Sequence, residues 1–183
     1  MSKENIIPEE YKSIIKLIEK KNYKEAETTL VKIIEEKKND YFPLQLLGII
    51  YSKTGDFDKA KNFYDNSLKL NPKNPAVYFD LGTMYKMLND YEKSKDNFLK
   101  AIELNPNIID AYLNIAGIYE KQKKMMEANK FFLKALSLNK DYLPSNKAYS
   151  YFLIKGGEIT KGLSYQYKHL GIIQFNKENL KIT

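Results

Sequence analysis

The 183-residue chain holds one histidine, His169, and no cysteine. The side chains most often used to bind transition metals, or to exchange a proton near neutral pH, are therefore almost absent. Without cysteine, no disulfide and no thiolate metal site can form. A nucleophile activated by a base would need a Ser or Thr beside the one imidazole. Ser164 lies five residues before His169, which puts the two on different faces of a helix. His169 reads better as a partly exposed residue of a terminal helix than as a base. Gly156-Gly157 lacks the strand and the Gly-x-Gly-x-x-Gly spacing of a phosphate cradle and reads as a turn. Glu35-Glu36 reads as solvated helix surface. The chain is expected to be no enzyme and to need no cofactor or metal. The chemistry left to it is recognition.

Recognising side chains must be held in place, and here a repeat would hold them. Leu47-Gly48, Leu81-Gly82 and Ile115-Ala116 recur at a spacing of 34 residues. Tyr51, Tyr85 and Tyr119 keep the same register, as do Ala60, Ser94 and Ala128. So do Tyr64, Phe98 and Phe132, and then Ser67, Ala101 and Ala135. Asn71-Pro72, Asn105-Pro106 and Asn139-Lys140 close the frames. Within each frame the apolar residues fall at three- and four-residue spacing, first around Tyr78, Leu81, Gly82 and Tyr85, then around Tyr91, Ser94, Phe98 and Ala101. That periodicity predicts two amphipathic helices per frame. The small columns predict close helix–helix approach, and the aromatic columns fill the space between hairpins. Pro72 and Pro106 cannot continue a helix and bias Asn71 and Asn105 toward extended backbone.

This pattern resembles the tetratricopeptide repeat, whose period is 34 residues. Frame 75–108 carries the resemblance through Tyr78, Leu81, Gly82, Tyr85, Phe98, Ala101 and Pro106, with Ser94 where the family prefers Ala. Frame 41–74 has Leu44 at the aromatic position and Ser67 at the second Ala. Frame 109–142 has Lys140 in place of Pro. Frame 7–40 keeps the second helix (Tyr23, Ala26, Leu30, Ile33), but its first helix lacks the column residues. Frame 143–176 is degenerate around Tyr149, Phe152 and Leu153, with a second helix from about Ile159. Degenerate outer units are expected where they cap a stack. The expected fold is all-α: a right-handed α-solenoid of about five antiparallel hairpins. An N-terminal tail, 1–6, and a C-terminal tail, 177–183, flank them.

The resemblance also implies a binding surface, because first helices line the concave groove of tetratricopeptide proteins. Residues opposite the packed stripe would form its floor: Phe42, Leu46, Ile49 and Lys53, then Ala76, Asp80, Thr83 and Met87, then Asp110, Asn114, Gly117 and Lys121, with Phe79 as a further anchor. The helix from Phe42 to Tyr51 is apolar nearly all round, so it must bury both faces. An apolar groove for a partner helix or peptide is one reading. Cover by neighbouring units or by the N-terminal helix is the other, and a contact between copies of the chain stays open. Exchanging Leu46 and Ile49 for Asp is expected to spare the fold and abolish partner capture. The clamp for acidic C-terminal peptides found in some members is not expected, since its positions hold Gln45, Ile49, Asp80 and Asp110, and only Asn114 is compatible.

The net charge is +7 and every basic residue is Lys. Frame 7–40 is neutral, with eight Lys against eight acids, whereas residues 143–183 carry six Lys against two acids. Without Arg there is no planar fork for base or phosphate recognition, which weighs against nucleic acid. A Lys-rich C-terminal surface that meets nucleic acid or acidic partners remains an alternative, marked by steep salt dependence. Another is a repeat arm of a split glycosyltransferase or sulfotransferase system, suggested by a loose likeness over Leu153–Lys168. No apolar run approaches the ~20 residues of a membrane span, and no signal-peptide core follows Met1. The expected compartment is the cytoplasm. The leading expectation is an adaptor or chaperone-like scaffold for a protein or peptide partner.

Overall fold

A computed structural model describes residues 8–167, 173–175 and 180–182. They form helices α1 (Glu9–Glu19), α2 (Tyr23–Glu36), α3 (Tyr41–Thr54), α4 (Phe57–Leu70), α5 (Pro75–Met87), α6 (Tyr91–Leu104), α7 (Ile109–Lys121), α8 (Met125–Leu138), α9 (Leu143–Lys155) and α10 (Ile159–Tyr167). Two short strands, β1 (Ile173–Phe175) and β2 (Leu180–Ile182), pair antiparallel with Ile173 opposite Ile182. That ladder falls where the sequence reading placed the end of a hairpin and a tail, and it is the one departure from all-α structure among the described residues. His169 lies outside them.

One turn recurs after every odd-numbered helix. Lys21, Gly55, Asn89, Lys123 and Gly157 all have positive φ, between 59° and 89°. The next residue in each case, Asn22, Asp56, Asp90, Lys124 or Glu158, donates its backbone N–H five residues back, at 2.8–3.0 Å. The positive-φ residue itself donates three residues back. Together these are the two bonds of a Schellman ending, which satisfies carbonyls the helix leaves unpaired. Asp56 then also caps α4 by accepting from the Lys59 N–H. The turns into the following odd-numbered helix repeat as well. The N–H groups of Asp40, Asn74, Ile108 and Tyr142 each bond a carbonyl three residues earlier. Lys140 therefore replaces the expected proline without changing the turn.

The chain divides into two compact units, Met1–Asp90 and Tyr91–Thr183. In the first, α3 is the central helix. Leu46, Leu47 and Ile50 pack with Tyr11, Ile14 and Ile18 of α1 and with Ala26 and Leu30 of α2. A second cluster joins Ala60 and Tyr64 of α4 to Val77, Leu81 and Met84 of α5. An α3 that is apolar all round is thus explained by helices packed on more than one side of it. Gly48 is required by Tyr64: a β-carbon there would lie 2.5 Å from the ring. The close approach is ring against backbone, not backbone against backbone as the small columns suggested.

In the second unit the core gathers Ala116 of α7, Ala128, Phe132 and Leu136 of α8, and Tyr149, Phe152 and Leu153 of α9. The rings of Phe132, Tyr149 and Phe152 sit 5.0–6.0 Å apart, and Tyr165 of α10 meets Tyr149 edge-on at 4.9 Å. Burying each such ring contributes about 1.5–3 kcal/mol. The lysine–carboxylate pairs on the surface are mostly exposed close neighbours in the sequence and add little, because water and salt screen them.

Candidate functional site

The first unit contains an apolar groove of about 410 Å3 bounded by α1, α3 and the start of α5. Ile15 and Ile18 of α1 form one wall, Phe42, Leu46 and Ile49 of α3 the floor, and Ala76 of α5 the far edge. Phe42 is held by the Tyr11 ring at 4.9 Å. The Tyr11 hydroxyl in turn donates to Asp40 at 2.5 Å, while Asp40 accepts the Phe42 N–H and caps α3.

The same latch recurs one repeat later with different side chains. Gln45 replaces Tyr11, and Asn74 replaces Asp40. The Asn74 amide donates to Gln45 Oε1 at 3.1 Å, and its own oxygen caps α5 at the Ala76 N–H. Gln45 and Asn74 are each 5% exposed, so their polarity is affordable only because these bonds are made. Gln45 passes the network on by donating Nε2 to Asp80 Oδ2 at 2.8 Å.

Asp80 is the unusual group of the unit. Burial pushes its carboxyl up to about 7, although the Gln45 hydrogen bond and the nearby Lys53 charge both pull it down. Burial of Tyr64 close by, with the Asp80 charge adding to it, also raises that phenol. The charged residue that lines the groove itself is Glu19, exposed on α1, and it forms no ion pair among the described residues.

The expected floor residues divide. Phe42, Leu46 and Ile49 meet in the groove. Leu46 is only 4% exposed and belongs to the core with α1, so its burial argues against the expectation that exchanging Leu46 and Ile49 for Asp spares the fold. Ile49 is half-buried and lines the groove. Lys53 is exposed at the end of α3, and Met87 is half exposed. Phe79 and Thr83 are half-buried on α5, where the Thr83 hydroxyl donates to the Phe79 carbonyl. Neither lines the groove. In the second unit, Asp110 accepts from the Tyr142 hydroxyl at 3.1 Å, and Asn114 donates to the Asp110 carbonyl at 2.8 Å. Lys121 donates to the Tyr91 hydroxyl at 2.9 Å and lies over that ring.

Sequence reasoning missed Glu19, Ile15 and Ile18 as groove residues because α1 lacks the repeat's column residues. It missed the Gln45–Asn74 latch because the partners differ chemically from Tyr11–Asp40, and only their common spacing of 29 residues signals the equivalence. Among the described residues, no three His, Asp or Glu side chains gather as metal ligands. No helix among them is long and apolar enough to cross a membrane.

Among the described residues, ten helices with one turn geometry recurring every 34 residues define a helical-repeat protein. Models of the tetratricopeptide repeat match residues 44–74, 75–108 and 97–128, and the chain accordingly contains tetratricopeptide repeats. The fold is shared with a structure of PilF from Pseudomonas aeruginosa (TM-score 0.75, 20% identity, 83% of this chain and 69% of that one). It is also shared with MamA from Desulfovibrio magneticus RS-1 (TM-score 0.70, 18% identity, 86% and 89%). A third solved structure, YrrB, is described as a TPR protein with an unusual peptide-binding site (TM-score 0.62, 24% identity, 74% and 70%). No curated protein sequence matches the chain.

Proposed function

We propose that this chain is a non-catalytic adaptor whose first unit docks a segment of another protein, helical or extended, in the groove over α3. The observation that carries the reading is the groove itself: half-buried Phe42 and Ile49 over a floor closed by Leu46, at a volume typical of ligand-sized clefts. Apolar side chains left partly open in a concave site mark a place where a partner's apolar side chains can leave water. The repeat class supports the reading, since stacked hairpins offer extended surfaces suited to binding chain segments. YrrB, with its described peptide-binding site, shares the fold.

The test is a pull-down at moderate salt from cells that express the protein, comparing the wild type with Ile49→Asp and with Ala76→Gln. Ala76 is half-buried at the groove's edge, so a longer side chain there obstructs the groove while leaving the core clusters untouched. The expected result is a partner retained by the wild type and lost by both variants, each with wild-type helicity. A partner retained equally by all three proteins would contradict the reading.

A further inference from the structure

The groove carries a sign of charge opposite to that of the chain. The protein as a whole is +7, yet the charged side chain that lines the groove is a carboxylate, Glu19. A second carboxylate, Asp80, lies one hydrogen bond behind the lining residue Gln45. Among the described residues, no lysine lines the groove. A docked anion would meet Glu19 with no cation in the described lining to receive it, and Asp80 behind Gln45 would oppose it further wherever its carboxyl is ionised. A docked cation would meet acceptors.

We propose that the groove selects an apolar protein segment carrying at least one lysine or arginine, whose cation is received by Glu19 at the mouth, while Asp80 behind Gln45 adds its charge from outside the lining. This deepens the docking function proposed above and rests on it. The apolar side chains of the segment cover Phe42 and Ile49 and supply the affinity, while the carboxylates set the sign of charge admitted. The groups facing Asp80 are Gln45 and Lys53 of α3 and Tyr64 of α4. Lys53, exposed and outside the lining, is the cation an incoming one would displace from its influence on Asp80. A cation seated in the groove also favours the ionised form of Asp80, and binding is therefore tighter above neutral pH than below it.

A random twelve-residue peptide display library, panned on the full chain, tests this. The proposal expects recovered peptides rich in apolar residues and in Lys or Arg, and poor in Asp and Glu. Their affinity should fall at least tenfold in Glu19→Gln/Asp80→Asn, whose helicity and melting curve serve as the control for folding. Peptides that depend on Ile49 and Ala76 but show no basic bias, or bind the double variant equally well, overturn the proposal and leave the docking function standing. Peptides indifferent to Ile49→Asp and Ala76→Gln overturn both, as does recovery of no groove-dependent peptide at all. Recovery by residues 8–183 but not by the full chain assigns the groove to the chain's own leading segment. A dimer in light scattering that Ala76→Gln dissolves assigns it to a second copy. Either outcome overturns the proposal.

Discussion

Gly48 and Gly162 are both places where a methyl group has no room, but they differ in what it would strike. At Gly48 the obstacle is the Tyr64 ring at 2.5 Å; at Gly162 it is the Ile154 side chain at 2.5 Å and the Ser150 backbone carbonyl at 2.8 Å. A ring packed inside a cluster and a helix backbone can yield only by moving their neighbours, so alanine at either site should cost about 1–3 kcal/mol. Gly162→Ala should cost more, because backbone must move. Urea unfolding of the two variants checks both the sign and the order, and an unchanged midpoint for Gly48→Ala would contradict the packing described. Asp80 makes a prediction in pH. Burial raises its carboxyl from the ordinary 3.8 to about 7 in the folded protein. The native state therefore keeps a proton that the unfolded state loses, and stability from this group is fully present below about pH 4, falls as pH rises toward 7, and is flat above. Asp80→Asn, which can still accept from Gln45, should remove that fall. Unfolding curves at pH 4.5 and 7.5 that show the same pH dependence in both proteins would contradict the assignment.

At the scale of the element, the five Schellman turns show what a repeat fixes and what it leaves to chance. Two of the five positive-φ positions are Gly55 and Gly157, where the backbone carries no β-carbon penalty. Asn89 tolerates the left-handed region better than most side chains, but Lys21 and Lys123 have no such excuse. Lys123→Gly should stabilise the second unit by up to about 1 kcal/mol, the relief of left-handed strain less the extra entropy of a glycine in the unfolded chain. A lower denaturation midpoint for that variant would show the turn is held by the lysine itself. These elements were largely legible in the sequence. The 34-residue columns predicted two amphipathic helices per frame, and the described helices fall on them. The turn geometry was not legible, because Lys, Gly and Asn share no chemistry and their equivalence lies in φ alone. The strand pair was not legible either, since three-residue strands carry too short an alternation to stand out from a tail.

At the scale of the whole molecule, the sequence pointed to Phe42, Leu46 and Ile49 as a floor, and these three meet in one groove of the first unit. The walls came from α1, whose weak match to the repeat hid its part, and the polar rim came from residues paired across repeats. Both depend on which helix packs on which, and periodicity along one strip of sequence does not encode that. The measurement that tests the central claim most directly is site-specific photocrosslinking in cells that express the protein, with a benzophenone amino acid placed at position 76 in the groove or at position 147, an exposed site on α9. The account predicts a discrete adduct with another protein from position 76, absent from position 147 and lost when Ile49→Asp is added. Equal adducts from both positions, or an adduct at 76 that survives Ile49→Asp with the fold intact, would contradict it.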